Sequence, residues 1–299
     1  MAKRKFWITG ILLVLLLAVT LILTSCELLD ELDAILDIIE EEDIPTPEGS
    51  MAVHFIDVGQ GDSILISMPT GENMLIDAGD NDKGEVVVDY LRSQGVERID
   101  YLVGTHPHAD HIGGLDDVID EFDIGEIYMP RVTHTTKTYM DVLEAIDRKG
   151  LKIKAARSGL TIPIEGAMAE ILAPDSDLKS DNLNDFSIVI RLTYGQTAFL
   201  FQGDAEKRTE DSILSSYDNI KTHVIKLGHH GSSTSNTEDY IEAVDPEYAV
   251  IMLGADNKYG HPHKEVISLM EDKGITVYRT DLDGTIVAIS DGKEVYFKD

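Results

Sequence analysis

Cysteine is almost absent: one residue, Cys26, in a chain of 299. No intramolecular disulfide can therefore form. Basic residues are scarce as well, 25 Lys+Arg against 55 Asp+Glu, for a net charge of −30. A field of that sign keeps a protein soluble and repels polyanions at long range, which argues against tight non-specific binding to nucleic acid. Adaptation to a salty habitat would give the same composition. Long apolar runs are missing except at the start, where residues 11–23 are broken only by Thr20, and no internal sequence repeat is found.

The chain opens with three basic residues, then that apolar run, then small residues before Cys26. This is the layout of an export signal. The run is short for a spanning helix, which needs about 20 apolar residues. Leu23, Thr24, Ser25 and Cys26 resemble a bacterial lipobox, in which the cysteine is lipidated and becomes the first mature residue. An uncleaved N-terminal anchor is the alternative. The expectation is an exported lipoprotein, anchored by lipid to the outer face of the cytoplasmic membrane, with residues 1–26 as its signal peptide. Beyond that segment 22 Lys+Arg face 55 Asp+Glu, a net charge near −33. Residues 27–50 begin with apolar residues at helical spacing and end in an acidic run with two prolines, and read as an acidic tether.

From Met51 onward about 249 residues remain, enough for one large domain with a sizeable core. Apolar segments such as MAVHFIDVG, DSILISM, NMLIDAG and IDYLVGTH read as strands, and EVVVDYLRSQG and GGLDDVIDEF as helices. The same reading gives strands at EIYMP, KIKAA, AMAEILAP, SIVIRLTYG, TAFLFQGD, THVIKLGHH and YAVIML, with four more helices between them and three short strands at the end. Hairpin-like strands with interspersed helices fit two sheets flanked by helices.

What the chain has in concentration is histidine. Seven of its ten histidines fall in three short stretches, THPHADHIGG, KLGHHGSS and KYGHPH, and His54, His134 and His223 stand alone without an assigned role. His106, His108, Asp110 and His111 follow a predicted strand and precede a helix. Neutral imidazoles beside a carboxylate suit Zn²⁺, Mn²⁺ or Fe²⁺, and this spacing can serve two ions a few ångströms apart. Two such ions can clamp the attacking and the leaving oxygen of a hydrolysis. A polar loop that happens to be histidine-rich is the plain alternative. Asp204 follows another apolar strand and a glycine, a place suited to a carboxylate bridging two metals, although Gly-Asp after a strand is most often a turn. His229 and His230 are adjacent and so point in two directions. His261 and His263 flank Pro262 before a helix, and helix punctuation is the other reading of that pair.

The series His-x-His-x-Asp-His resembles the metallo-β-lactamase-fold hydrolases, over essentially all of residues 51–299. Together with FIDVGQGDSILI, MLIDAG, DNLNDFSIVIRL, FLFQGDAEKRTE, KLGHHGSSTS, NKYGHPH and VYRTDLDGTI, it is similar to the exported metallo-hydrolase domain of ComEC-type DNA-uptake proteins. The resemblance implies a four-layer αββα sandwich. It implies a first metal on His106 and His108, a second on Asp110 and His111, and Asp204 bridging. His229 would complete the second site, with His230 as the competing choice, and Asp77 would orient ligands from behind. The pattern departs from the family in one place. Where many members carry a further metal-binding histidine, this chain offers Asp181, Asn182, Asn184 and Asp185, which makes the first site weak, oxygen-rich or manganese-preferring. The multi-helix channel of ComEC is also missing.

The resulting expectation is a hydrolase with two divalent ions, Zn or Mn, in which a metal-bound hydroxide cleaves a phosphodiester of DNA or a nucleotide. Asp110 would orient that hydroxide, and His261 or His263 would protonate the leaving oxygen. The acidic surface favours a short or single-stranded nucleic acid. Two other readings stay open: hydrolysis of a small ester, thioester, lactone or lactam, and a non-catalytic metal-binding accessory of DNA uptake.

Overall fold

The computed structural model describes residues 49–298, so the expected signal segment and nearly all of the tether lie outside the described residues. Strands β1 (Met51–Phe55), β2 (Ile64–Ser67), β3 (Asn73–Ile76), β4 (Arg98–Val103), β5 (Asp123–Pro130) and β6 (Ile153–Ala156) belong to a first sheet. The chain then builds a second sheet from β7 (Leu160–Ile162), β8 (Met168–Ala173), β9 (Val189–Tyr194), β10 (Thr197–Phe201), β11 (Val224–Lys226), β12 (Tyr248–Ile251) and β13 (Thr276–Arg279). It finally returns to the first sheet with β14 (Ile286–Ser290) and β15 (Val295–Phe297), giving the order β15-β14-β1-β2-β3-β4-β5-β6.

Each sheet changes character halfway across. β14, β1, β2 and β3 pair antiparallel, and β3 to β6 pair parallel. Likewise β7 to β10 form an antiparallel meander, and β10 to β13 are parallel. Parallel neighbours need long crossovers, which helices supply. On the first sheet these are α1 (Gly84–Ser93), α2 (Ala109–Ile112), α3 (Leu115–Glu121) and α4 (Lys137–Arg148). On the second they are α5 (Lys207–Ser216), α6 (Glu238–Val244) and α7 (Lys264–Lys273), and a short α8 (Thr280–Asp283) precedes β14.

Three cores follow from this layering. Phe55, Ile66, Met74, Ile190, Phe199 and Phe201 fill the space between the sheets. Val87, Leu91, Leu115 and Val142 pack helices onto Leu75 and Leu102 of the first sheet. Ile213, Tyr240, Val266 and Met270 do the same for Leu200 and Ile225 of the second. Strands covered on both faces become continuous apolar runs, as TAFLF and MAVHF are. The architecture is the αββα sandwich. Three small elements depart from the sequence reading: β7, only three residues long, α2, a single helical turn inside the histidine motif, and α8, another single turn among the closing strands. Among the described residues no helix is long and apolar enough to cross a membrane.

Candidate metal centre

The parallel strands β3, β4, β10, β11 and β12 all end at one rim of the sandwich, the usual place for a site in such sheets. Beyond β3 comes Asp77, beyond β4 Thr105 and His106, beyond β10 Asp204, and beyond β11 His229 and His230. Backbone shape does much of the aiming. Asp77, His229 and His230 all have left-handed backbone, with φ of 59°, 49° and 53°. Such conformations cost about 1–3 kcal/mol each for non-glycine residues and persist only where surroundings impose them. Asn236 imposes it here: its Oδ1 accepts the Gly228 N–H at 2.8 Å, and its Nδ2 donates to the carbonyls of Gly228 and Ser232 at 3.0 and 3.2 Å. Close backbone approach explains the glycines in the motif. A Cβ on Gly113 would meet the Asn81 nitrogen at 2.3 Å, and one on Gly61 the Asp110 carbonyl oxygen at 2.2 Å.

Asp204 stands in the middle, almost wholly buried. Its Oδ1 lies 3.1 Å from His111 Nε2 and 3.5 Å from His230 Nε2, and that His230 nitrogen is 3.4 Å from Asp110 Oδ2. Its Oδ2 lies 3.8 Å from His106 Nε2 and 3.7 Å from His229 Nε2. His106 Nε2 and His108 Nδ1 face each other at 2.9 Å. Asp77 holds this arrangement from behind. Its carboxylate accepts the Thr105 N–H at 2.7 Å and the Thr105 hydroxyl at 2.6 Å, and lies 2.8 Å from His111 Nδ1. His230 Nδ1 lies 2.8 Å from the Met252 carbonyl, which accepts its proton and leaves Nε2 as the inward-facing lone pair.

Three residues that sequence reasoning passed over complete the site. Asp62 sits behind His111 and His230, 3.8 and 3.5 Å from their Nδ1 atoms, and is salt-bridged to Lys226, which is fully buried and donates to the Gly203 carbonyl at 3.0 Å. Glu206 lies 3.2 Å from His229 Nδ1. The lysine inside the apolar strand VIK was the available signal, since a buried lysine needs a partner carboxylate.

Charge follows geometry. Burial alone would lower the imidazoles of His111 and His230, but Asp204 and its neighbours outweigh it, lifting His111 well above its ordinary value and His230 to about 9. Burial would raise Asp204 and Asp110, yet the same histidines hold both carboxylates below their usual range. His106 and His108 are pushed down by burial and by the His111 charge. The pocket therefore draws in positive charge, and protons occupy positions that a cation would take over.

These residues fit a metal. Asp204 Oδ1, His111 Nε2 and His230 Nε2 are buried with no hydrogen-bond partner among the described residues, a situation that normally needs an explanation. Metal bonds of about 2.0–2.2 Å place neighbouring ligand atoms roughly 3.3 Å apart, close to the 3.1–3.5 Å separations around Asp204 Oδ1. His106, His111 and Asp204 form one group that could hold an ion, and Asp110, His111 and His230 another. The second group includes His230; His229 faces the other oxygen of Asp204.

A cavity of about 290 Å³ opens onto these groups, lined by Gln60, His108, Asp110, Asp204, Tyr259 and His261 among others. A more open hollow of about 400 Å³, lined by Lys179, Ser180, Asp181 and Phe186, contains none of the histidines. His261 is pushed down to about 4 by burial and by the charges of His230 and His229, so at neutral pH it is uncharged. His263 is turned aside, its Nδ1 accepting the Ser233 N–H at 2.9 Å. In the loop before β9, Asn182 and Asn184 direct their amides to Glu206, and the Asp185 carboxylate is taken by Ser180 and Arg208.

Comparison with known proteins agrees with this architecture. ComE operon protein 3 of Bacillus subtilis is 31% identical over 251 residues, covering 78% of this chain and 32% of that protein. Competence protein ComA of Neisseria gonorrhoeae is 32% identical over 242 residues, covering 80% and 32%. Recombination protein 2 of Haemophilus influenzae is 27% identical over 239 residues, covering 78% and 28%. The chain thus spans about a third of the length of these relatives. Among solved structures, the metallo-beta-lactamase fold protein YhfI of Bacillus subtilis superposes with a TM-score of 0.52 at 13% identity, covering 83% of this chain and all of that one. CmlA, a diiron beta-hydroxylase from Streptomyces venezuelae, gives 0.53 at 16% identity, covering 79% and 53%. At such identities the likeness is one of fold. The family model of the metallo-beta-lactamase superfamily matches residues 56–255, the stretch that carries Asp77, the His106–His111 motif, Asp204 and His230, and the chain belongs to that superfamily.

Proposed function

We propose that the chain is a hydrolase that uses two divalent ions, zinc or manganese, to cleave phosphodiesters in a nucleotide or in short or single-stranded DNA. The observation that carries this reading is the convergence of His111 and His230 on one oxygen of Asp204, with Asp110 3.4 Å from the same His230 nitrogen, beside a cavity of about 290 Å³. His106, His108 and Asp204 would hold one ion and Asp110, His111, Asp204 and His230 the other, and bound there the ions would supply Lewis acidity toward a phosphoryl oxygen and a lowered pKa for the attacking water. The protein does the rest. Asp110, kept ionised by His230 and His111, would orient the attacking water as a hydrogen-bond acceptor. Asp77 and the Met252 carbonyl fix the tautomers of His111 and His230. His261, uncharged at neutral pH, donates an N–H to a substrate oxygen, and it protonates the leaving group only where an anionic substrate has raised its pKa. His263, turned to the Ser233 N–H and absent from the cavity wall, does not share that role.

Two features favour a small or single-stranded substrate. The cavity is at the lower end of ligand-site volumes, and the net charge of −30 opposes a long duplex. The names of the competence and recombination relatives support a nucleic-acid context. The test is a panel of bis-p-nitrophenyl phosphate, single-stranded DNA, a thioester and nitrocefin with the purified protein, with Mn²⁺ or Zn²⁺ added. Cleavage of the first two is expected. Turnover of the thioester or nitrocefin alone would reassign the substrate class, and tight metal binding with no turnover would favour a non-catalytic accessory. Export and lipid attachment at Cys26 are proposed as well. Cys26→Ser should abolish lipid labelling, and equal labelling of both forms would rule the anchor out.

A further inference from the structure

We infer that His229 is the third imidazole of the ion site formed by His106 and His108, and that Glu206 presents it there. This rests on the reading above, in which ions sit on both sides of Asp204. His106 Nε2 and His108 Nδ1 converge at 2.9 Å, and with Asp204 they make three protein donors. A zinc-like ion in a catalytic site takes three protein ligands and a water or substrate and can expand to five, so the site has room for one further imidazole. Asp204 Oδ2 has two imidazole nitrogens at nearly equal range, His106 Nε2 at 3.8 Å and His229 Nε2 at 3.7 Å. His229 is thus placed on the same carboxylate oxygen as His106, opposite to the oxygen that serves His111 and His230.

The other nitrogen of His229 is anchored as metal-binding imidazoles are. Its Nδ1 lies 3.2 Å from Glu206 Oε1 and 3.2 Å from Thr234 Oγ1. Thr234, whose hydroxyl donates to Glu206 Oε1 at 2.9 Å, accepts the Nδ1 proton and leaves Nε2 as a lone pair facing Asp204. Glu206 is itself held by Asn182 Nδ2 at 2.7 Å, Asn184 Nδ2 at 3.3 Å and the Thr234 hydroxyl at 2.9 Å. The loop that carries no histidine therefore acts on the first site at one remove, by positioning the carboxylate that positions His229.

Backbone conformation points the same way. Two successive left-handed residues throw the His229 and His230 rings apart, to 6.1 Å between centroids and 64° between planes. The His229 N–H is tied to the Gly203 carbonyl at 3.1 Å, beside Asp204. If only His230 bound metal, a glycine at 229 would adopt this conformation without strain. The rival donor is the Asn184 Oδ1 atom, which is buried and has no partner among the described residues.

Cobalt titration of the metal-free full-length protein separates these possibilities, read by visible absorption and by elemental analysis rather than by turnover. The wild type should bind two Co²⁺. His229→Gln, which keeps side-chain bulk, and His229→Ala should each bind one tightly and the second at least about tenfold more weakly, with folding checked by circular dichroism. Glu206→Gln should weaken the same single site by about 10–100-fold, the usual effect of losing a partner behind a ligand, and leave the other site unchanged. Asn184→Ala should fall short of that loss. Two tight Co²⁺ in both His229 variants would overturn the inference, as would a loss seen in Asn184→Ala and not in His229→Ala. A wild type that binds no Co²⁺ would overturn the metal-hydrolase reading itself, and this inference with it. Two ions bound with no phosphodiester turnover would remove the proposed reaction and leave the ligand assignment standing.

Discussion

On the Oδ1 side of Asp204, His111 and His230 are sealed from solvent, and the carboxylates behind them, Asp77 and Asp62, are buried too. On the Oδ2 side, His229 keeps 25% of its side chain exposed and its backing carboxylate, Glu206, keeps 22%. The chemistry on the two flanks is similar, imidazole in front and carboxylate behind, but the dielectric surroundings differ. Charges hidden from water interact several times more strongly than charges at a wet surface, and salt screens the latter far more. The lesson is that the supports behind His111 and His230 are fixed in advance and the His229–Glu206 pair is adjustable, while buried His106 and the partly exposed Asp110 cross that division.

The largest expected effect comes from the residue the flanks share. Asp204→Asn keeps nearly the same shape and removes the charge between the two ion positions. Metal content should fall from two ions to one or none, and turnover by at least about a hundredfold, judged against the losses seen on changing metal surroundings. Unchanged metal content would mean that Asp204 divides nothing, and the comparison would collapse.

The second test sets one support against the other. Lys226→Met strands the Asp62 carboxylate in the interior without its buried partner. Breaking a buried pair in this way typically costs about 3–5 kcal/mol, or about 6–20 °C in the melting temperature of a domain this size. Glu206→Gln, at the wet flank, should cost less than about 1 kcal/mol in the same metal-free melt. Equal losses would show that the two flanks are not built differently.

A last test supplies a control outside both flanks. His54, buried in β1 with its Nδ1 2.8 Å from the Tyr90 hydroxyl, is pushed down to about 4 by burial and by the charge of Lys298. The unfolded chain takes up this proton near pH 6.5 and the folded chain only near pH 4. Stability from this group is therefore complete above pH 6.5 and lost as pH falls toward 4, by about 3 kcal/mol or slightly more at most. In His54→Gln that part of the slope should vanish from denaturant melts, with metal binding untouched. A wild-type slope in the variant would assign the acid sensitivity to the site instead.

How much of this was readable in the sequence depended on how local each feature is. His106, His108, Asp110 and His111 fall within six positions, and His229 and His230 are adjacent, so their grouping is visible in one dimension. Their division between the two oxygens of Asp204 is not, because it is set by the φ values of 49° and 53° and by Asn236. Asp62, Lys226 and Glu206 are single residues in three separate segments, made neighbours only by tertiary folding. The long apolar strands announced the layers. β7 did not, since Leu160–Ile162 is too short for any periodicity to register. The turning of Asn182 and Asn184 toward Glu206 was equally hidden, because it depends on a partner 24 positions away.

The return of the chain to its first sheet has a consequence for biogenesis. β1 is hydrogen-bonded along one edge to β2 and along the other to β14, in a register that pairs Met51 with Ser290, and the Asp57 N–H reaches Thr285 Oγ1 across 228 positions. A ribosome or a translocation channel delivers β1 long before its second neighbour exists. Until β14 emerges, one side of a fully buried, largely apolar strand presents unpaired amides and carbonyls, the kind of edge that recruits strands from other chains. Contacts this distant in sequence also slow folding. A nascent chain paused before residue 286 should therefore be a client for holding chaperones, and the same chain released past residue 290 should not.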